Sequence, residues 1–582
     1  MNKTEKIICL VLGGVLAWYI FMEMGKSKEA AKADAAATTN VVENVAVQNG
    51  ESVSAPLQNK EPAPSSNSGE TAAAPLTDRK VLPSVPEKTV TLENDEVKLE
   101  LSTWGAVVRK VTLKKYAKDC GEISGENPPV EFDFAESPLG RDEGAVAAFA
   151  VAAQDASSVT FKDGARTRKI ALGNDYRITF EDEGISGPLS LGSMRMGDSK
   201  NDLLSVDSWA VDAGKGKPGV IHHGDDDSPL KPYLVGGLSG GCSGSKSAAG
   251  MPETASAEYP GQQTWIAVKN RFFVTALAAC SEPITGFSAQ VRRDMASANY
   301  RPDGITVIAG FKPGAAKRTV TFFVGPKKQS LLWDLGMRDV MEFGMWRWLC
   351  YPLVWVLNLF NGWIPNFGVA IILLTILVRL VFWPLTHKST VGMKKMQELQ
   401  PKMKEIQSKF KDNPQRLQQE TWAMYREAKV NPMSSCLPML IQIPVFIALF
   451  NVLRSAVELR YAPFLWIADL SEPEALFASW FPFGGLNILP ILMALSTGLQ
   501  SAFTPSTGDK NQQRMMMIFM PAMMLVMFYS FPSALSLYWF LSNLFSIVQM
   551  WLIRRQTAKK QAVLVPEVID PPQPTRQMRR HS

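Results

Sequence analysis

Histidine is almost missing from this chain, with four among 582 residues: His222, His223, His387 and His581. No HExxH, phosphate-binding GxxxxGK[ST] or CxxC pattern occurs, which removes the common zinc-hydrolase, nucleotide and dithiol chemistries. The segment HHGDDD from His222 to Asp227 holds the remaining metal-ligand types. Adjacent ligands followed by glycine and an acidic run read as a solvated loop rather than a metal site. Six cysteines are too few for a disulfide scaffold. Cys9, Cys350 and Cys436 fall in or beside apolar segments, and one bridge among Cys120, Cys242 and Cys280 stays open. Enzyme chemistry is unsupported, and no metal or cofactor is expected.

A second absence is more telling. From Asn366 onward, no apolar segment long enough to cross a bilayer contains an Asp or Glu. One of them, Asn366 to Thr386 (NFGVAIILLTILVRLVFWPLT), nevertheless contains Arg379. At ~1.5 Å per residue, Arg379 lies ~12 Å from the end of the span at His387. An arginine there costs roughly 2.5–3.5 kcal/mol on insertion scales. With no carboxylate in any span, hydration from the cytoplasmic side is the expected support.

The rest of the chain divides clearly. Residues 1–24 carry Lys3 and Lys6 before an uncharged run and read as an N-terminal membrane anchor. Residues 25–87 are rich in Ala, Ser, Pro, Glu and Asn without apolar periodicity, a flexible linker. Residues 88–330 hold short alternating or β-branched runs separated by Gly, Asp, Asn and Pro. Among these are Val97 to Ser102, Tyr176 to Phe180, Gly304 to Gly310 and Arg318 to Gly325, the pattern of an all-β sandwich. Gly236 to Gly250 reads as a loose loop.

Residues 345–364 are tryptophan-rich, and Pro352, Asn358 and Gly362 would break a span, so an interfacial helix is expected. The span 366–386 follows, then a soluble interval, 387–431, with ten Lys/Arg against five Asp/Glu. Met393, Met396, Leu399, Met403, Ile406 and Phe410 mark a helix face, and Asn413-Pro414 a turn, so 387–431 reads as a helical hairpin kinked at Pro401. Further spans are expected over 432–453, 484–503, 515–531 and 534–553. The tail 554–582 has seven basic residues against two acidic. The positive-inside rule then places the N-terminus, hairpin and tail in the cytoplasm and the β domain outside. The basic loops suit anionic lipid or ribosomal RNA, and no DNA partner is expected.

The fold class is thus a polytopic α-helical membrane protein of six spans with an all-β domain outside. Depth counting puts Thr375, Gln442 and Asn543 near the bilayer middle and Arg379 one turn nearer the cytoplasm. Polar groups facing lipid are costly, so these should face one another or a shared wet cavity. Met515, Met516, Met517, Met520, Met523, Met524 and Met527 crowd one span, as core filler or as an adaptable binding surface.

Three stretches carry a resemblance: VRLVFWPLT (Val378 to Thr386), KVNPMSSCLPMLIQIPVFIAL (Lys429 to Leu449), and FPSALSLYW with SNL (Phe531 to Leu544). Together with the order of parts, they resemble the YidC family of membrane protein insertases, in its Gram-negative form with a large periplasmic domain. The resemblance implies an inner-membrane insertase and chaperone without cofactor, with a five-helix core and a periplasmic β-sandwich. It implies a hydrated, positively charged groove that receives nascent membrane proteins, alone or with the Sec translocon, and a hairpin that meets ribosome or substrate. Arg379, Thr375, Gln442 and Phe446 fall on the family's groove or contact positions, and its paired tyrosines stand here as Tyr538-Trp539. The competing reading is an anion-selective transporter or channel using Arg379, against which the absence of inverted repeats counts.

Overall fold

The computed structural model describes residues 85–117, 129–134, 137–142, 147–195, 204–212, 218–223, 230, 253–293, 302–312, 316–341, 343–428, 430, 437–477, 485–504 and 510–564. The expected anchor, nearly all of the linker, the 236–250 loop, the tail beyond 564, and Cys9, Cys120, Cys242 and Cys436 lie outside these residues.

Among the described residues, seventeen strands, from Thr89–Glu93 to Lys317–Pro326, join in one continuous hydrogen-bonded network, every pairing antiparallel. Alternation places the core: in Arg177–Glu183, Ile178 and Phe180 turn inward between exposed or half-exposed neighbours. The strand Thr254–Lys269 runs through Pro260 because its pairing shifts register between Pro260 and Gln263, where a proline needs no ladder bond. Gly140 (φ 78°) is required by close approach: a Cβ there would meet the ring of Phe180 at 2.0 Å.

Charges inside this domain are grouped rather than single. Arg168 and Arg318 both bond Asp182, through Nε at 2.7 Å and Nη2 at 3.1 Å respectively, with all three side chains at most 1% exposed. Elsewhere Lys269 pairs with buried Asp207 and donates to the Val340 carbonyl at 3.0 Å, so the domain is stapled to the turn Arg338–Met341 that leaves it.

Helix α1 (Gln329–Asp334) leads through that turn to α2 (Arg347–Trp363). Cys350, Leu353, Val354 and Leu357 are buried on one side of α2, while Trp348, Trp355 and Trp363 stay exposed. That split gives α2 one buried apolar face and one exposed tryptophan face, and the helix continues through Pro352.

Helix α3 spans Phe367–Glu398, opened by Asn366, whose side-chain oxygen accepts from the Val369 amide at 3.1 Å. It passes the expected boundary at Thr386 without a break, so the apolar stretch and the first hairpin arm are one helix. The interruption falls instead at Leu399, after which α4 (Gln400–Lys409) begins with Pro401 in its first turn. Helix α5 (Pro414–Glu427) follows the expected Asn413-Pro414 turn, with Asn413 accepting from the Arg416 amide at 3.1 Å. Helices α6 (Leu437–Ser455), α7 (Ile488–Phe503), α8 (Lys510–Phe528) and α9 (Ser533–Leu564) complete the fold. Among the described residues, Phe367–Glu398 and Ser533–Arg555 are long and apolar enough to cross a membrane. Among the residues whose side chains are described, three further apolar helical stretches are Gln442–Ser455, Ile488–Phe503 and Met517–Phe528.

Candidate functional site

Helices α3 and α9 lie side by side, and Arg379 is where they are tied. Its Nε donates to the Ser542 hydroxyl at 3.0 Å, and its Nη2 donates to the Ser542 carbonyl at 2.7 Å and to the same hydroxyl. The same Ser542 carbonyl also accepts from Ser546 Oγ one turn along α9 at 3.0 Å. Two turns further along both helices, Gln549 donates to Thr386 Oγ1 at 2.8 Å. Arg379 thus has a protein partner, Ser542, in addition to any water expected around it.

Beside Arg379 is a small cavity of about 20 Å³, lined by Val378, Arg379, Phe382, Leu385, Thr386, Gln442, Val445 and Tyr538. That is room for about one water molecule. The lining is mostly apolar, contains no carboxylate, and has Arg379 as its one charge. A cation in such surroundings is poorly screened, and its pull on an entering anion exceeds what bulk water would allow.

The structure sorts the seven residues picked out in the sequence into separate groups. Arg379, Gln442 and Tyr538 meet around the cavity. Phe446 and Trp539 pack against each other edge to face, 4.8 Å between ring centres, and Trp539 also touches Phe528 at 5.4 Å. Phe450 and Phe531 extend that aromatic cluster across α6, α8 and α9.

Two residues stand elsewhere. Asn543 donates to Ser496 Oγ and Thr497 Oγ1, both at 2.9 Å, and so ties α9 to α7. Neighbouring residues on a helix point ~100° apart, so Ser542 faces α3 while Asn543 faces α7. Thr375, fully buried, returns its hydroxyl to the Ile371 carbonyl of its own helix at 2.7 Å. Depth counting in the sequence sets Asn543 level with Thr375 and Arg379 one turn away, whereas the Arg379–Ser542 bonds put Asn543 at the level of Arg379, on another face. The signal for Ser542 in the sequence is the equal seven-residue step from Arg379 to Thr386 and from Ser542 to Gln549.

Of the HHGDDD segment read as a solvated loop, 224–227 lie outside the described residues, and the His222–His223 pair is held in the β domain. His222 ends the strand Gly219–His222, with Nδ1 2.9 Å from Asp207 Oδ1. His223 is buried, its Nε2 2.7 Å from Ser208 Oγ and its ring against Tyr259 and Phe287. Among the described residues no group of three or more His, Cys, Asp or Glu could hold a metal.

Comparison with known proteins adds a family context. Residues 359–561 match the family described as "60Kd inner membrane protein", and 243–356 match "YidC periplasmic domain". A "Membrane protein insertase YidC" from Syntrophobacter fumaroxidans is 41% identical over 300 residues, 50% of this chain and 54% of that protein. The chain therefore spans about half the length of that relative. One of the same description from Prosthecochloris aestuarii is 30% identical over 518 residues, covering 84% of this chain and 86% of that one. A solved structure described as an active YidC insertase covers 81% of this chain and 93% of its own at 19% identity, with a TM-score of 0.34.

Proposed function

The chain belongs to the YidC family of membrane protein insertases, and from that premise we propose that it moves nascent hydrophobic segments from the cytoplasm into the inner membrane. The observation that carries the reading is the pairing of Arg379 with Ser542 beside a cavity without a carboxylate. Two N–H groups on Nη1 make no bond among the described residues, and they suit a carboxylate of an arriving segment. Gln442 and Tyr538 offer that segment further polar contacts, and the Phe446–Trp539 surface offers its apolar part a face along which to slide.

In this reading the chain crosses the membrane six times, with both termini and the α4–α5 hairpin in the cytoplasm and the β domain in the periplasm. The basic hairpin is the natural surface for ribosome or incoming polypeptide, and the Sec translocon is an expected companion. Insertion makes and breaks no bond, so no catalytic residue is assigned and the protein is not an enzyme.

Depletion of the protein, followed by tracking of small membrane proteins, tests this. Their accumulation outside the bilayer is the expected result. Unchanged insertion with failed uptake of an anion would replace the insertase with the transporter reading.

A further inference from the structure

The outer ends of α6 and α9 meet at a side chain that belongs to neither. Arg271 lies in the turn between the strands Thr254–Lys269 and Phe273–Cys280, and its side chain is only 4% exposed. Its three nitrogens reach three acceptors outside the β domain. Nε donates to the Arg454 carbonyl at 2.6 Å, Nη2 to the Ser471 carbonyl at 2.8 Å, and Nη1 to Glu472 Oε1 at 3.2 Å.

Two of these acceptors, Arg454 and Glu472, lead to helices that wall the Arg379 cavity. Arg454 sits in the last turn of α6, where carbonyls have no partner within the helix and the helix dipole is negative. Glu472 is gripped a second time by Arg460 Nη1 at 2.8 Å. Its backbone carbonyl accepts from the amide of Ser533 at 2.9 Å and from the Ser533 hydroxyl at 2.7 Å, at the first residue of α9. Phe272 fills the space between the two guanidiniums, its ring 4.5 Å from Arg271 and 5.1 Å from Arg460.

We propose that Arg271 is a positioning residue through which the β domain fixes the spacing of the outer ends of α6 and α9. Ser533 is nine residues from Ser542, ~13 Å along a rigid helix. A shift at the outer end is therefore carried to the Ser542–Arg379 bonds, whose geometry tolerates only tenths of an ångström. A lysine could not do the same work, because three acceptors in a fixed arrangement call for the planar fork of an arginine.

Hydrogen exchange on the full-length protein in lipid vesicles tests the assignment. Arg271→Ala should raise exchange about tenfold or more at the Ser533–Ala534 amides and in the last turn of α6, the loss expected for charge-assisted bonds. The strands Thr254–Lys269 and Phe273–Cys280 should keep their protection. Unchanged exchange at the helix ends, or loss spread equally through those strands, would overturn the proposal. Arg271→Lys keeps the charge and should give an intermediate rise; full protection in that variant would overturn the role of the fork. Exchange reads helix spacing whether or not polypeptide is inserted, so this result stands apart from the insertase reading.

Discussion

Arg379 and Ser542 are separated by 163 residues and joined by the guanidinium Nε at 3.0 Å, and Thr386 and Gln549 repeat the same separation at 2.8 Å. Equal offsets mean that α3 and α9 run parallel in a fixed register, with polar ties seven residues, or ~10.5 Å, apart. Polar ties between membrane helices are worth ~0.6 kcal/mol each, and at most ~1.7. Under the proposed function, such ties are weak enough for an arriving segment to exchange them for its own contacts. Arg379 is thus both paired and available.

Replacing Arg379 should therefore act on substrates rather than on the fold. Arg379→Ala is expected to lower insertion about tenfold for substrates whose translocated ends are acidic, the scale of a charge-assisted bond. Substrates with neutral ends should lose less. Arg379→Lys keeps the charge and should retain more activity on both. An insertion assay in vesicles with matched acidic and neutral tails measures this, and equal activity of the alanine variant on both would exclude the charge as the receiving group.

Ser542 and Asn543 are adjacent in sequence and should separate in effect. Ser542→Ala removes one acceptor from Arg379 and leaves the backbone carbonyl, so preference for acidic tails should change. Asn543→Ala removes two bonds to Ser496 and Thr497 on α7 and should lower thermal stability by about 1 kcal/mol with that preference intact. Melting curves beside the same insertion assay distinguish them. Identical behaviour of both variants would mean that the two polar groups are not independent.

Much of this was legible in the chain, and the unread parts share a physical cause. The Asn413-Pro414 turn, the start of α9 after Phe531-Pro532, and the strands at Thr89–Glu93, Val97–Ser102 and Lys317–Pro326 follow local rules of capping, proline placement and alternation. The strand Thr254–Lys269 escaped notice because Pro260-Gly261 reads locally as a break, and only its partner Ile284–Arg293 makes a bulge there favourable. The division between Ser542 and Asn543 escaped for the same reason. Period and depth are properties of one helix, whereas facing is a property of two. Arg271 could not be found at all from the sequence, since its acceptors lie 183 to 201 residues away.

In the β domain, Asp182 is the shared acceptor of two buried arginines. Asp182→Asn would leave Arg168 and Arg318 buried without their counter-charge, which typically costs ~3–5 kcal/mol. A domain of this size should then melt on the order of 10 °C lower. Differential scanning fluorimetry of the full-length protein reads the shift, with the Arg379-dependent tail preference as the control that should not move. A melting point unchanged by Asp182→Asn would show that the carbonyls around Arg168, such as Gly140 at 2.7 Å, suffice to hold the charge.

Acid should weaken the same domain through His223. Burial pulls its pKa down from 6.5 to about 4, with His222 adding to the effect and Asp207 opposing it. The folded form therefore keeps His223 neutral where the unfolded chain already binds a proton. Between about pH 6.5 and pH 4 the unfolded state holds more protons, so stability falls as pH falls through that window and is flat above it. Asp207 works in the same direction at lower pH, because Lys269 and His222 together outweigh burial and hold its pKa below the ordinary value. His223→Gln keeps a hydrogen-bonding group near Ser208 but cannot titrate. Its melting temperature should drop less between pH 7.5 and pH 4.5 than that of the unaltered protein, and equal drops would assign the acid sensitivity to another group.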